Sequence, residues 1–120
     1  MFIATRALIV LIAVLHFYFL ILEMFLWTKP AGLKAFRQTI ERANATATLA
    51  KNQGLYNGFL AAGLVWGLIL FEGALFQQVE TFFLSCVLVA GIFGALTVSR
   101  KIFIIQGLPA AVALVLLVMQ

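Results

Sequence analysis

Four long apolar runs constrain what this chain of 120 residues can fold into. A helix needs about 20 apolar residues to cross a bilayer core that is about 30 Å thick. The runs lie at about residues 7–27, 52–71, 81–98 and 102–118 and take up most of the chain. Because each run is continuous and does not alternate with polar residues, transmembrane β-strands are excluded. The pattern predicts an all-α integral membrane protein, a compact bundle of four transmembrane helices that forms a single domain over residues 1–120.

The composition excludes the other broad classes of protein. Apolar residues make up 65% of the chain and charged residues 10%, whereas a soluble domain averages about half and about a quarter. Disorder requires low hydrophobicity, and a disulfide scaffold requires more than the single Cys86. The first run is too long for a signal-peptide core and has no small-x-small cleavage pattern, so we expect it to be retained.

The basic residues favour one orientation in the membrane. Most of them lie in the segment 28–51, and Arg100 and Lys101 lie between the third and fourth runs. The opposite side carries only Arg6, and the turn expected over 72–80 carries acidic residues and no base. The positive-inside rule therefore predicts that the segment 28–51 is cytoplasmic and that both termini are outside.

The segment between the first two runs is expected to form an amphipathic helix over residues 31–43. Pro30 suits the first turn of a helix, and Leu33, Phe36 and Ile40 share one side, opposite the basic residues. We expect this helix to lie in the cytoplasmic headgroup layer, where its bases contact anionic lipid. Binding of an acidic partner is the alternative.

Ionisable side chains inside a span are costly, so each marks a candidate functional site. His16 and Glu23 are seven residues apart in the first run and share one helix face, which Trp27 continues. The second run is antiparallel to the first, so the polar residues at its start are expected to lie level with Glu23. Gln106 is one turn inside the fourth run at the same membrane surface.

Lipid offers these side chains no hydrogen-bond partners, so they are expected to turn inward and to meet in the cytoplasmic half of the bundle. The resulting candidate ligand or proton site consists of Glu23, His16, Trp27, Asn52, Gln53, Tyr56, Asn57 and Gln106.

Most of these residues also have a purely structural explanation. Asparagine and glutamine can hydrogen-bond one helix to another, and His16 can bond to a backbone carbonyl. A purely structural role explains Glu23 less well, because a neutral glutamine at this position would make the same hydrogen bonds without a buried charge. No metal site is predicted, since the single histidine, the single cysteine and Glu23 lie at different levels. No cofactor and no nucleic-acid partner is predicted.

Small residues recur at helical spacing in the second span. Gly54 with Gly58, and Gly63 with Gly67, are each one turn apart and favour close helix packing. Two alternatives are a groove that leads outward from the polar cluster and a homodimer through the glycine faces. In the fourth span, Pro109 predicts a kink.

Two segments carry a resemblance to a known family: HFYFLILEMFLW, from His16 to Trp27, and NQGLYNGFLAAG, from Asn52 to Gly63. The chain is similar there to a family of small bacterial membrane proteins known as domain of unknown function 1304. The likeness extends over nearly its whole length. It implies a compact four-helix protein of the bacterial inner membrane and no established activity. The family's motif residues coincide with every candidate residue except Gln106.

Three functions fit these features, and we prefer the first. Proton-coupled binding or transport of a small cationic or lipophilic compound would use Glu23 to exchange protons, with Tyr56 and Trp27 as an aromatic wall. A transport pathway would require a homodimer. A membrane-embedded enzyme for a quinone-like or isoprenoid-like substrate would use Glu23 and His16 as acid and base. In an accessory subunit of another membrane protein, Glu23 would face a partner helix.

Overall fold

The helices are longer than the apolar runs that predict them. The computed structural model describes all residues, Met1–Gln120, and contains helices and no strand. The helices are α1 (Phe2–Met24), α2 (Pro30–Phe36), α3 (Ile40–Leu70), α4 (Ala74–Thr97), α5 (Arg100–Ile102) and α6 (Leu108–Val118), with a π-helical segment at Phe103–Gly107 between the last two. Four helices are long and apolar enough to cross a membrane: α1, α3, α4 and the continuous stretch Arg100–Val118. The prediction of an all-α protein with four candidate spans is confirmed.

The helix predicted over 31–43 is wrong in extent, because the structure divides it in two. α2 ends at Phe36, where Arg37 adopts a left-handed conformation with φ 49° and ψ 52°. α3 then begins at Ile40, after Thr39, whose hydroxyl accepts a hydrogen bond of 3.2 Å from the Arg42 backbone N–H. Such a cap starts a new helix, so the residues from Ile40 onward belong to α3.

α3 is too long to lie wholly inside a bilayer. Its 31 residues extend for about 46 Å at 1.5 Å per residue, against about 30 Å of hydrocarbon. Its charged residues all lie before Gly54, and from there to Leu70 the helix carries no charge and is largely apolar. The excess length is therefore at the N-terminal end, and we call residues 40–53 the projecting part of α3, since this part is expected to extend beyond the apolar layer.

The turn between α3 and α4 is shorter than the expected turn over 72–80. It consists of Phe71–Gly73, and both Phe71 (φ 68°) and Gly73 (φ 95°) adopt positive φ. α4 starts directly afterwards, at Ala74. Consequently Glu80, which we expected on the outer surface, lies within α4 and is completely buried.

The predicted kink at Pro109 takes the form of the π-helical segment Phe103–Gly107. The Leu108 backbone N–H donates to the Phe103 carbonyl, five residues earlier. Because proline has no N–H and its ring crowds the preceding turn, the wider turn relieves the helix before Pro109. α4 crosses this segment closely: a Cβ on Gly91 would lie 2.5 Å from the Gly107 nitrogen.

The chain packs as two compact units. One consists of Met1–Val14 and Leu60–Gln120 and has an apolar core, and the other consists of Leu15–Phe59. The core of the first is formed by Ile9, Ile12, Ala13, Leu64, Phe76, Leu84, Val87, Ala110, Ala113 and Leu117. The second buries Leu22, Ala43 and Ala50 together with His16, Glu23 and Asn57. That residues 1–120 form a single domain stays a prediction.

The crossing of α4 and the π-helical segment can be tested by filling it. A leucine side chain at position 91 has no room beside the Gly107 backbone. We expect Gly91→Leu to lower the free energy of unfolding by about 1–3 kcal/mol, as overpacking does, measured from thermal denaturation in detergent. Ala90→Leu is the matched control, because Ala90 is exposed. Equal midpoints for the two variants would contradict the packing described.

Candidate functional site

Glu23 lies in the last turn of α1, within the unit Leu15–Phe59. It is 7% exposed. When ionised, its carboxylate is deprived of water, and it also sits at a helix C-terminus, where the macrodipole is negative. An ionised Glu23 therefore needs a hydrogen-bond donor or a cation close to it.

Asn57 supplies the donor. Its Nδ2 donates a hydrogen bond of 2.6 Å to Oε1 of Glu23, from one turn beyond Gly54 on α3. Asn57 is itself buried, with 5% of its surface exposed. A neutral amide can donate this bond whether the carboxyl is ionised or protonated. The pair therefore holds Glu23 in place without fixing its charge.

Two glycines allow the helices to approach closely enough for this bond. A Cβ on Gly54 would lie 2.6 Å from Cγ of Met24 and 3.1 Å from Cβ of Glu23. A Cβ on Gly58 would lie 2.5 Å from Cδ1 of Leu20. A larger residue at Gly54 would also meet the Leu20 carbonyl oxygen, 3.2 Å from that Cβ, whereas one at Gly58 would displace the end of the Leu20 side chain. The expectation of close packing is confirmed here.

Asn52, Gln53 and Tyr56 do not join Glu23, so the expectation that they turn inward is wrong. All three are exposed, Tyr56 by 54%. Nδ2 of Asn52 donates instead to the Thr48 carbonyl of its own helix, at 3.0 Å. The buried face of α3 in this unit follows Ala50, Gly54 and Asn57. At 100° per residue, Asn52 and Tyr56 each lie about 200° away from Gly54.

His16 is buried but lies two turns from Glu23 on the same helix. It is completely buried, and its ring meets the Phe19 ring edge-on with centroids 5.7 Å apart. This contact fits either a packing role or a proton-carrying role for the imidazole.

Trp27 follows the end of α1 and contacts both α2 and α3. Its indole nitrogen does not bond to Glu23. Its Nε1–H donates to Oγ1 of Thr46 at 3.2 Å, and its ring lies 4.8 Å from the Phe36 ring. The Thr46 hydroxyl donates in turn to the Arg42 carbonyl at 2.8 Å. Trp27 therefore joins α2 to the projecting part of α3.

Gln106 lies in the π-helical segment of the other unit, where it is partly buried. The structure thus brings together Glu23 and Asn57 from the predicted set and places the rest in other surroundings. Lys29 is the basic residue nearest in sequence to Glu23, and Lys51 is the one nearest to Asn57. Both are exposed.

A second buried carboxyl group, that of Glu80, was not predicted from the sequence. Glu80 is the only charged residue of α4. A signal was available, because Phe76, Glu80, Leu84 and Val87 follow helical spacing, and the three apolar members are all buried. That spacing places Glu80 on the core face of its helix.

Comparisons with known proteins assign a family but no activity. The family model described as "Protein of unknown function (DUF1304)" matches residues 10–118. Uncharacterized protein YpaA of Lactococcus lactis subsp. lactis (strain IL1403) is 36% identical over 118 residues, which cover 96% of this chain and 97% of the relative. No solved structure matches the chain.

The Glu23–Asn57 pair can be tested by removing the donor. We expect Asn57→Leu to lower the free energy of unfolding by about 1–3 kcal/mol, since it leaves the buried carboxyl without a partner. The loss should shrink in the double variant Glu23→Leu/Asn57→Leu, which removes both groups. Denaturation midpoints in detergent measure both effects. Asn52→Leu is the control, and a loss as large there would show that the buried pair has no special role.

Proposed function

The chain belongs to the DUF1304 family, and we propose that it binds a small cationic or lipophilic compound at Glu23 in exchange for a proton. Proton-coupled transport of that compound is the extension of this proposal. The observation that supports it is the burial of the Glu23 carboxyl group against a single neutral donor, Asn57.

Proton exchange follows from the chemistry of this pair. A protonated Glu23 is neutral and suits its apolar surroundings. Once the proton has left, the carboxylate favours a positive charge nearby, because hydrogen bonding to Asn57 offsets only part of its lost hydration. A lipophilic cation brings that charge without a hydration shell of its own. Proton and cation would therefore compete for one carboxylate.

The same geometry favours binding over the two alternatives. An enzyme with Glu23 and His16 as acid and base is less well supported, because these side chains are separated by about 10 Å of helix. In an accessory subunit, Glu23 would face a partner's helix, whereas here it bonds to Asn57 of its own chain.

A homodimer, which transport would require, would have to use surfaces other than the glycine faces. Gly54 and Gly58 pack against α1, and Gly63 and Gly67 pack against Phe83 and Glu80. The groove suggested by the second glycine pair is therefore filled by side chains of the same chain.

We also propose that the protein lies in the bacterial inner membrane with its basic segment in the cytoplasm. Lys29, Lys34, Arg37, Arg42 and Lys51 are all exposed. Three of them precede α3 and two lie on its projecting part. In that position they can contact anionic headgroups, which makes the lipid bilayer itself a partner of this segment.

Ligand exchange can be tested with tetraphenylphosphonium, a lipophilic cation. We expect calorimetric titration of the full chain in detergent to show binding that weakens as the pH falls, with about one proton released per cation bound. Glu23→Gln should abolish both effects while the protein keeps its helical content. Glu41→Gln is the matched control, because Glu41 is exposed. Binding that is unchanged in Glu23→Gln, or absent from the parent protein, would overturn the proposal.

The orientation can be tested by labelling cysteines in spheroplasts. In a Cys86→Ala background, Gln120→Cys should react with a membrane-impermeant maleimide, because its terminus is outside. Lys34→Cys should react only after the membrane is opened. The reverse pattern would contradict the proposed orientation.

A further inference from the structure

We propose that Glu80 is a second proton-binding site, with Arg6 as its charge partner, and that loss of the proton draws Arg6 away from the end of α3 toward Glu80. The site lies in the unit formed by Met1–Val14 and Leu60–Gln120. It does not depend on the function proposed for Glu23.

The carboxyl group of Glu80 is buried and unpartnered. No part of the residue is exposed, and neither Oε1 nor Oε2 has a hydrogen-bond partner. Buried polar groups are nearly always bonded, and an isolated buried carboxylate is among the most expensive groups in a protein. A bound proton removes the charge and with it most of that cost.

The space for this carboxyl group is provided by Gly67 of α3. A Cβ at position 67 would collide with the Glu80 carboxyl group. The glycine therefore creates a notch in α3 that a larger residue would close. This fit makes Glu80 a fixed part of the core.

The Arg6 guanidinium lies over the Phe76 ring, 5.5 Å from its centroid and one helical turn from Glu80 on α4, yet its hydrogen bonds go elsewhere. Nη1 donates to the Phe71 carbonyl at 2.6 Å, and Nη2 donates to the Leu68 carbonyl at 2.8 Å. These carbonyls lie at the end of α3, where helices leave acceptors unsatisfied. The guanidinium also lies over the rings of Phe2 and Phe71, at 5.5 and 4.7 Å from their centroids.

Arg6 consequently has two competing sets of acceptors. While Glu80 is protonated, the carbonyls at the end of α3 are the better acceptors for the guanidinium. An ionised Glu80 would be a stronger acceptor, because charge-assisted bonds are about twice as strong as neutral ones. The protonation state of Glu80 thus determines which of the two sets of acceptors binds the guanidinium.

Apart from Arg6 and the Met1 amino group just before α1, the elements packed around Glu80 bring no charge. α3 carries no charged side chain after Lys51, α4 carries none besides Glu80, and α6 carries none. Glu72, in the turn before α4, is exposed. Beyond α6, the neutral side-chain amide of Gln120 donates to the Thr5 hydroxyl at 2.8 Å. Arg6 is therefore the charged side chain that can respond to Glu80.

Infrared spectroscopy of the protein in detergent, recorded as a function of pH, tests the proposal. In Glu23→Gln, we expect a carbonyl-stretch band of a buried carboxylic acid that disappears reversibly as the pH rises. The band should be missing from Glu23→Gln/Glu80→Gln and retained in Glu23→Gln/Glu72→Gln. Adding Arg6→Gln should shift its midpoint, since the cation that responds to Glu80 is lost. Arg6→Lys should move it less.

A band that never titrates, that is absent at every pH or that survives Glu80→Gln would overturn the proposal. Glutamine is neutral and nearly the same shape as protonated glutamate, so Glu80→Gln is expected to keep its thermal midpoint. If that variant unfolds, ¹³C-labelled glutamate in Glu23→Gln/Glu41→Gln/Glu72→Gln, in which Glu80 is the only glutamate left, identifies the band without it. Tetraphenylphosphonium binding separates the two sites, because Glu80→Gln should bind this cation as well as the parent protein does. If the parent protein does not bind the cation, the proposal for Glu23 fails, but the infrared test of Glu80 is unaffected.

Discussion

Hydrocarbon offers no hydrogen-bond partners, and this constraint governs where the polar side chains of the membrane-spanning helices go. One solution is a partner on another helix, as Asn57 is for Glu23. A second is the carbonyl one turn earlier in the same helix, which Ser85 and Thr97 use. Glu80 uses neither, because both of its oxygens lack a bond. The two buried glutamates thus represent different electrostatic designs, one with a neutral donor and the other with a nearby cation.

Glycine residues on α3 provide the space for both buried glutamates. Gly54 lets α1 and α3 approach until a hydrogen bond between Glu23 and Asn57 is short enough to form, and Gly67 makes room for Glu80. A membrane interior supplies little hydrophobic drive for helix association, so close packing and a few polar contacts have to provide it. The glycines and the buried carboxyl groups are therefore parts of the same local structure.

The number and type of the spans could be predicted from hydropathy, because length and apolarity alone determine them. The Glu23–Asn57 pair could be predicted in part. The antiparallel direction of two adjacent helices determines which of their residues lie at the same depth, but it does not determine how each helix is rotated about its own axis. Asn52 and Tyr56 were assigned to the wrong face because polarity was given more weight than the spacing of the small residues. Glu80 was missed because its polar neighbours resembled a loop, although the apolar residues at helical spacing around it indicated a buried face.

The π-helical segment Phe103–Gly107 has a consequence for how the chain tolerates changes in length. A π-turn is an α-helix that accommodates one additional residue. Losing a residue there would convert the segment to ordinary helix and leave the flanking helices α5 and α6 in register with α4. Losing one elsewhere in a span would rotate everything beyond it by about 100° and turn buried residues toward lipid. The segment is thus the position in the fourth span where a one-residue deletion preserves the packing register, and its cost there is the crowding of Pro109 against the preceding turn.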